Sequence, residues 1–265
     1  MLKEIRKREF ANGVVYMLET EDGYPIEVTD TFLPYYTKDC INEHTNELRS
    51  AELGSRSERW MIGVSCMSGC PVGCRFCSTG KLKRWRNLTM DEMVEQVKFI
   101  LDKNYGKYDP KDSKEFKINW TRMGEPFLNI ENVKKAMAKI DFILNDRKVH
   151  HYISTVGLKG SDFSWIKDNI TLQVSLHSLD EERRHNLIPI SNLMSIEELG
   201  QIRTESALKT TVNMTLVDYA DFDIKVLERY FDKEHFFIKL SPINENEVSR
   251  ANEMGSGIIE SRNII

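Results

Sequence analysis

The chain has 265 residues, 40% of them hydrophobic and 29% charged, with a formal net charge of −4. That composition excludes a disordered or collagen-like chain, and the length supports one large α/β domain or two small ones. No stretch approaches the ~18 apolar residues of a membrane helix, the charged start MLKEIRKREF is not a signal peptide, and the mild acidity argues against wholesale electrostatic capture of nucleic acid; a cytoplasmic protein is expected.

Glu9–Glu19 and Tyr24–Leu33 read as two strands joined by the turn-like Glu21-Asp22-Gly23, and residues 34–58 read as a polar loop. Residues 1–58 are thus expected to form a small N-terminal β extension and its connection. Arg59–Cys66 reads as a strand running into a cluster of cysteines. Thr89–Leu101 reads as a helix, with a Thr89/Glu92 capping box and an apolar face of Met93, Val94, Val97, Ile100 and Leu101. Strand Phe116–Arg122, helix Glu131–Leu144, strand His150–Val156, short helix Asp162–Asp168 and strand Thr171–Ser178 follow. A helical stretch at Ser195–Arg203, strand Thr210–Leu216, helix Asp221–Phe231 and strand Phe236–Ile243 complete the pattern. Six strands with helices between them imply right-handed parallel units. The expected fold is α/β, a partial (β/α)6 TIM-like barrel over 59–246, with a short C-terminal tail at 247–265.

In such barrels reactive groups gather at the C-terminal strand ends. Polar motifs fall at those ends: Cys66 onward, Gly124-Glu125, Ser154-Thr155, Ser175-Leu176-His177 and Pro242-Ile243-Asn244. Of five cysteines, Cys66, Cys70, Cys74 and Cys77 fall within CMSGCPVGCRFC, and Cys40 stands apart. Clustering in an odd total points to metal or redox chemistry rather than disulfides. Buried hydrophobes or a zinc tetrahedron are the competing readings, but zinc ribbons split their ligands into two separated pairs, and the compact spacing suits an iron–sulfur cluster best. Gly69, Pro71 and Gly73 fit a tight loop that lets sulfurs converge, and Phe76 stands where it would shield a cluster from water.

The CxxxCxxC spacing, with an aromatic before the last cysteine, resembles the radical S-adenosylmethionine (radical SAM) superfamily. The resemblance is closer to its RlmN/Cfr-type adenine methyltransferase branch: VSCMSGCPVGCRFCSTGK and RNLTMDEMVEQV, then MGEPFLN, STVG, VSLHSLDEERRHNLIPI and KLSPINEN, match in order over residues 59–246. The resemblance implies that Cys70, Cys74 and Cys77 hold a 4Fe–4S cluster whose fourth iron chelates SAM. It implies that Gly124 and Glu125 line the SAM amino-acid portion, with Glu125 accepting from the ammonium. Ser154, Ser175, Leu176 and His177 would contact the ribose and sulfonium side, and Asn244 would close over the adenosine. An external flavodoxin- or ferredoxin-like donor would supply the electron that splits SAM into a hydrogen-abstracting 5′-deoxyadenosyl radical.

The branch also uses two methyl-transfer cysteines, and this sequence departs from it at both. Position 63, seven residues before Cys70, is Gly63, and no cysteine follows Cys77. Cys66 stands where the family has a small polar residue. Three readings follow: another radical reaction on a nucleotide-like or RNA substrate, a methyltransferase completed by a second polypeptide, or a SAM-binding protein that methylates nothing. A zinc-bearing nucleic-acid-binding module with Cys66 as fourth ligand is the reading from a different class. The N-terminal portion is too short for the helical RNA-binding domain common in the branch. The local basic run Lys81, Lys83, Arg84 and Arg86 around Trp85 would suit phosphate contact and base stacking, or else be a solvated face with Trp85 packed inward.

Overall fold

The structure is a computed structural model that describes residues 2–35, 53–145, 148–241, 243 and 246–255. In chain order these form β1 (Lys3–Phe10), β2 (Gly13–Glu19), β3 (Pro25–Leu33), β4 (Arg59–Gly63), the two-residue β5 (Met67–Ser68) and β6 (Arg86–Asn87), α1 (Met90–Asn104), β7 (Glu115–Trp120), α2 (Ile130–Ile143) and β8 (Val149–Thr155). Then come β9 (Ile170–Ser175), α3 (Glu181–Leu187), α4 (Ile196–Gly200), β10 (Thr210–Thr215), α5 (Ile224–Tyr230), β11 (Phe236–Ser241) and α6 (Glu247–Ala251). The chain divides into two compact units. One comprises Met1–Cys66, Leu88–Arg122 and Glu131–His151, and the other Met67–Asn87, Met123–Ile130 and Tyr152–Ile265.

In the first unit β1, β2, β3 and β4 pair antiparallel in sequence, and β4 pairs parallel with β7. Helix α1 starts where Thr89 and Glu92 close their capping box, and it buries Met93, Val94, Val97 and Ile100. Its buried Gln96 explains why β4 stops at Gly63 rather than at Cys66. The Gln96 amide accepts from the Ser65 backbone N–H (2.8 Å) and donates to the Ser65 carbonyl (2.9 Å), replacing a strand neighbour. Buried Asp30 is satisfied by Trp60 Nε1 (2.7 Å), Arg56 and Asn104, which ties β3, β4 and α1 together.

The N-terminal β extension has three strands rather than two. Glu9–Glu19 is broken by a turn at Ala11-Asn12, and β1 escapes a periodicity reading because nearly all its residues, KEIRKREF, are exposed.

In the second unit β9, β10 and β11 run parallel, with Val212 opposite Val174 and Ile238. Three local expectations differ from the structure. Asp162–Asp168 is turns: the Phe163 carbonyl accepts from the Ile166 N–H (3.2 Å) and the Lys167 carbonyl from the Ile170 N–H (2.8 Å), separate turns that do not join into a helix. Asp221–Phe231 is interrupted: buried Asp221 accepts from the Val217 and Asp218 N–H groups, and α5 starts only after Asp223 caps it. Helix α3, unanticipated, is capped by Asp180 accepting from the Arg183 N–H (2.8 Å). The core of this unit includes Val72, Val156, Leu158, Leu187, Ile188 and Leu193, with Cys70, Cys74 and Phe76 packed against it.

Candidate functional site

The candidate residues that the structure describes from Gly69 onward all lie in the second unit. After β5 the chain enters the cysteine loop, which closes on itself where Gly80 meets Gly73. A Cβ on Gly80 would sit 3.0 Å from the Gly73 Cα, so a side chain there would need the Gly73 backbone to give by a few tenths of an ångström. The Arg75 N–H donates to the Leu187 carbonyl at the end of α3 (2.9 Å). From the other side, Asn246 Nδ2 donates to the Phe76 carbonyl (3.0 Å) and Asn252 Nδ2 to the Arg75 carbonyl (2.8 Å), so both ends of α6 hold the loop between Cys74 and Cys77.

Cys70, Cys74 and Cys77 are partly buried and close enough to repel one another as thiolates. Burial pushes the Cys70 thiol up to about 11, with Glu125 and Cys77 adding to the rise, and burial pushes Cys74 higher still. Neither is a thiolate by its protein surroundings alone, and a cationic iron centre is what would hold them ionised. Among the described residues no three His, Cys, Asp or Glu side chains converge tightly enough for one metal ion. Tetrahedral zinc draws its sulfurs to about 3.8 Å of one another. A cluster asks for a looser triangle, since each thiolate takes a different iron. Three cysteine thiols gathered in one loop are the donor set that a cluster asks for. Cys66 is buried before β5, outside the loop's trio.

Gly124 has φ +100°, a left-handed conformation that side-chain-bearing residues avoid, and it turns the chain so that Glu125 points inward. Glu125 is buried, accepting from the Phe127 N–H (3.2 Å) and the Val156 N–H (3.0 Å), with Thr155 also donating. Burial pushes its carboxyl up to about 7 against these three donors. Among the described residues no cationic side chain pairs with it. A buried carboxylate held by main-chain donors, beside Cys70 and Cys74, suits the ammonium of an amino acid.

The Ser154 and Ser175 hydroxyls, at the ends of β8 and β9, lie 3.3 Å apart and half-buried. Leu176 is fully buried, its N–H donating to the Asn213 carbonyl (3.0 Å), so its side chain belongs to the core. His177 has φ +64°, a strained setting for a histidine. Its Nδ1 accepts from the Thr215 N–H (3.1 Å), which leaves the proton on Nε2, and its ring meets Phe76 edge-on at 4.8 Å. Burial, with Arg184 adding, pushes its imidazole down to about 4, so it is neutral. Asn244 lies outside the described residues.

One residue the motif reading passed over is Arg184, a fully buried guanidinium on α3. It donates to the Val156 carbonyl (2.8 Å) and to that of Met194, while the Val156 N–H holds Glu125. Its Nε is buried without a partner, and burial pushes the group down to about 10. An arginine in a charged helix carries no sequence signal of this. Trp85 corrects the inward-packed alternative: it is 51% exposed, as are Lys81, Lys83 and Arg84 around it.

Gly63, in the first unit, explains its own lack of a side chain. A Cβ there would lie 2.4 Å from Thr29 Oγ1 and 2.8 Å from Arg122 Cδ. The Arg122 stem fills the space a thiol at 63 would need, and its guanidinium pairs with Glu27 (Nε to Oε1, 2.8 Å).

The radical SAM superfamily matches residues 64–229. A probable dual-specificity RNA methyltransferase RlmN of Chlorobium phaeobacteroides is 33% identical over 199 residues, 72% of this chain and 54% of that protein. The dual-specificity RNA methyltransferase RlmN of a Nitratiruptor species is 34% identical over 192 residues, 70% of this chain and 50% of that protein. The chain thus spans about half the length of these curated relatives. A crystal structure of a radical SAM methyltransferase from Sphaerobacter thermophilus aligns with a TM-score of 0.64 at 24% identity, covering 99% of this chain and 75% of that one.

Proposed function

From the premise that the chain belongs to the radical SAM superfamily, we propose that it cleaves SAM reductively and acts on an RNA or nucleotide-like substrate by a route other than methyl-cysteine transfer. It is a radical SAM enzyme on an α/β fold with a largely parallel sheet, its cofactors are a 4Fe–4S cluster and SAM, and no helix among the described residues is long and apolar enough to cross a membrane. The observation that carries the proposal is the buried Glu125 carboxylate, fixed by the Phe127 and Val156 N–H groups beside Cys70 and Cys74.

Cys70, Cys74 and Cys77 would hold the cluster, leaving one iron without a protein thiolate. The cluster they hold would supply the electron chemistry of reductive SAM cleavage, fed by an external flavodoxin- or ferredoxin-like donor. Glu125 would accept from the SAM ammonium, orienting the amino acid without becoming a reactant. Gly124 lets the chain reach that position. Ser154 and Ser175 offer hydroxyls at adjacent strand ends, and the Leu176-His177 backbone together with Asn244 would line the nucleoside. Neutral His177 keeps an Nε2–H donor and brings no charge to the sulfonium. Phe76, edge-on to His177, keeps water from the cysteines. The exposed Lys81, Lys83 and Arg84 with Trp85 supply phosphate-binding and stacking chemistry for an RNA substrate.

The space at Gly63 argues for a different route. A methyl-transfer thiol there would displace Thr29 and Arg122. The test is anaerobic reconstitution followed by incubation with SAM, dithionite and bacterial RNA. The reading expects 5′-deoxyadenosine in wild type and none with Glu125→Ala. Absence of deoxyadenosine from iron-loaded wild type overturns it. Methylated adenosine in the RNA would instead assign the relatives' named reaction to this chain.

A further inference from the structure

The first unit carries a cationic pocket that the SAM chemistry does not use. The β1–β3 sheet has one covered face, where Tyr16 meets Phe99 of α1 edge-on at 5.2 Å. Strand alternation sends the neighbours of Tyr16 and Val28 to the opposite face. Register aligns Arg6 with Met17 and Glu27 in one row there, and Arg8 with Val15, Thr29 and Gly63 in the next. A cavity of about 320 Å³ opens over these rows, lined by Arg6, Arg8 and Arg122 around Met17 and Phe10. That size is at the lower end of small-ligand sites.

Its charge follows from the bare Gly63. The missing side chain admits the Arg122 stem, whose guanidinium neutralises Glu27, the pocket's carboxylate. Lys7, also on the lining, is matched by Glu9 at 2.7 Å. Arg6 and Arg8 make no ion pair among the described residues, so the pocket keeps two uncompensated guanidinium charges. Phe10 is 48% exposed, and the Arg8 guanidinium lies 4.9 Å from its ring centroid, forming a stacked aromatic–guanidinium surface. Cations beside a stacking surface suit a phosphate next to a nucleobase better than either an isolated anion or an apolar ligand.

We propose that this pocket binds a phosphate-bearing nucleotide unit, with the uncompensated Arg6 and Arg8 on the phosphate and the exposed Phe10 ring against the base. The inference deepens the substrate class of the proposed function, but its test is binding without turnover, so deoxyadenosine release is unaffected if it fails.

The probes are AMP, adenosine and a 12-nucleotide RNA, titrated into the reconstituted full chain by calorimetry and anisotropy. The proposal expects adenosine to bind at least tenfold more weakly than the phosphate-bearing probes. The double variant Arg6→Gln/Arg8→Gln, on an exposed edge strand, should keep the thermal midpoint and lose at least tenfold in affinity for them. For the RNA, the slope of log K against log salt should shrink by about 1.4, at ~0.7 per phosphate contact on a single strand. A control pair on α2, Lys135→Gln/Lys139→Gln, should bind as wild type. Binding of both AMP and RNA makes a free nucleotide sufficient, whereas binding of RNA alone names the polynucleotide backbone as the source. Unchanged affinity in the Arg6/Arg8 variant, an equal loss in the control, or no phosphate-bearing probe bound by wild type overturns the proposal.

Discussion

Gly63→Ala is the smallest perturbation that tests why this chain carries no side chain at position 63. The added methyl would sit 2.4 Å from Thr29 Oγ1, 2.8 Å from Arg122 Cδ and 3.2 Å from Arg122 Cγ. Arg122 cannot swing away freely, because its guanidinium is engaged by Glu27 and its N–H by the Val64 carbonyl at 3.2 Å. Overpacking of this kind costs about 1–3 kcal/mol. Replacing a strand glycine returns about 0.5–1 kcal/mol of backbone entropy. The net loss is about 1–2 kcal/mol, or roughly 2–8 °C in thermal midpoint at ~2–4 °C per kcal/mol for a chain of this size. Adding Arg122→Ala removes two of the three close contacts, so the double variant should lose less than the sum of the singles by about 1 kcal/mol. Scanning fluorimetry of the four proteins measures it. A Gly63→Ala protein as stable as wild type, or strict additivity, refutes the packing argument and reopens position 63 to a thiol.

Cys66→Ala should leave iron content at the wild-type level, because the trio Cys70, Cys74 and Cys77 does not include it; iron analysis showing loss would enlist it as a ligand. Arg184→Met should reduce SAM affinity about tenfold with iron content unchanged, since it frees the Val156 segment that holds Glu125; equal SAM affinity by calorimetry would remove Arg184 from the positioning role. His177 titrates at about 4 in the fold against an ordinary 6.5, so the unfolded chain binds more protons between these values. Its effect on stability is nil above pH 6.5 and becomes a cost of about 3 kcal/mol by pH 4, at ~1.36 kcal/mol per pH unit. Asparagine tolerates the positive φ, so His177→Asn should lose less thermal midpoint than wild type between pH 7 and pH 4.5. Parallel acid limbs for the two proteins would refute this.

Much of the candidate site in the second unit was legible because its motifs are contiguous. Cysteine spacing, Gly124-Glu125 and the strand ends at Ser154 and Ser175 all fall where a short window reveals them. The capping box at Thr89 was readable for the same reason. What escaped depends on distant pairings. Arg184 looks like any helix arginine until Val156 and Met194 present their carbonyls to it. Asn246 and Asn252 become loop clamps only when α6 meets Arg75 and Phe76. Strand β1 lacked an apolar rhythm because its residues stay exposed, the Asp162 segment closes into separate turns, and the Asp221 segment was misjudged because one buried carboxylate takes the Val217 and Asp218 N–H groups.

The central claim concerns three sulfurs and the metal centre they share, and its most direct measurement is iron and acid-labile sulfide per chain after oxygen-free reconstitution. Wild type should hold close to four of each, with the visible absorbance of a cluster, and Cys70→Ala/Cys74→Ala/Cys77→Ala should hold almost none. Equal metal in the two proteins, or a colourless wild type without sulfide, would contradict the account.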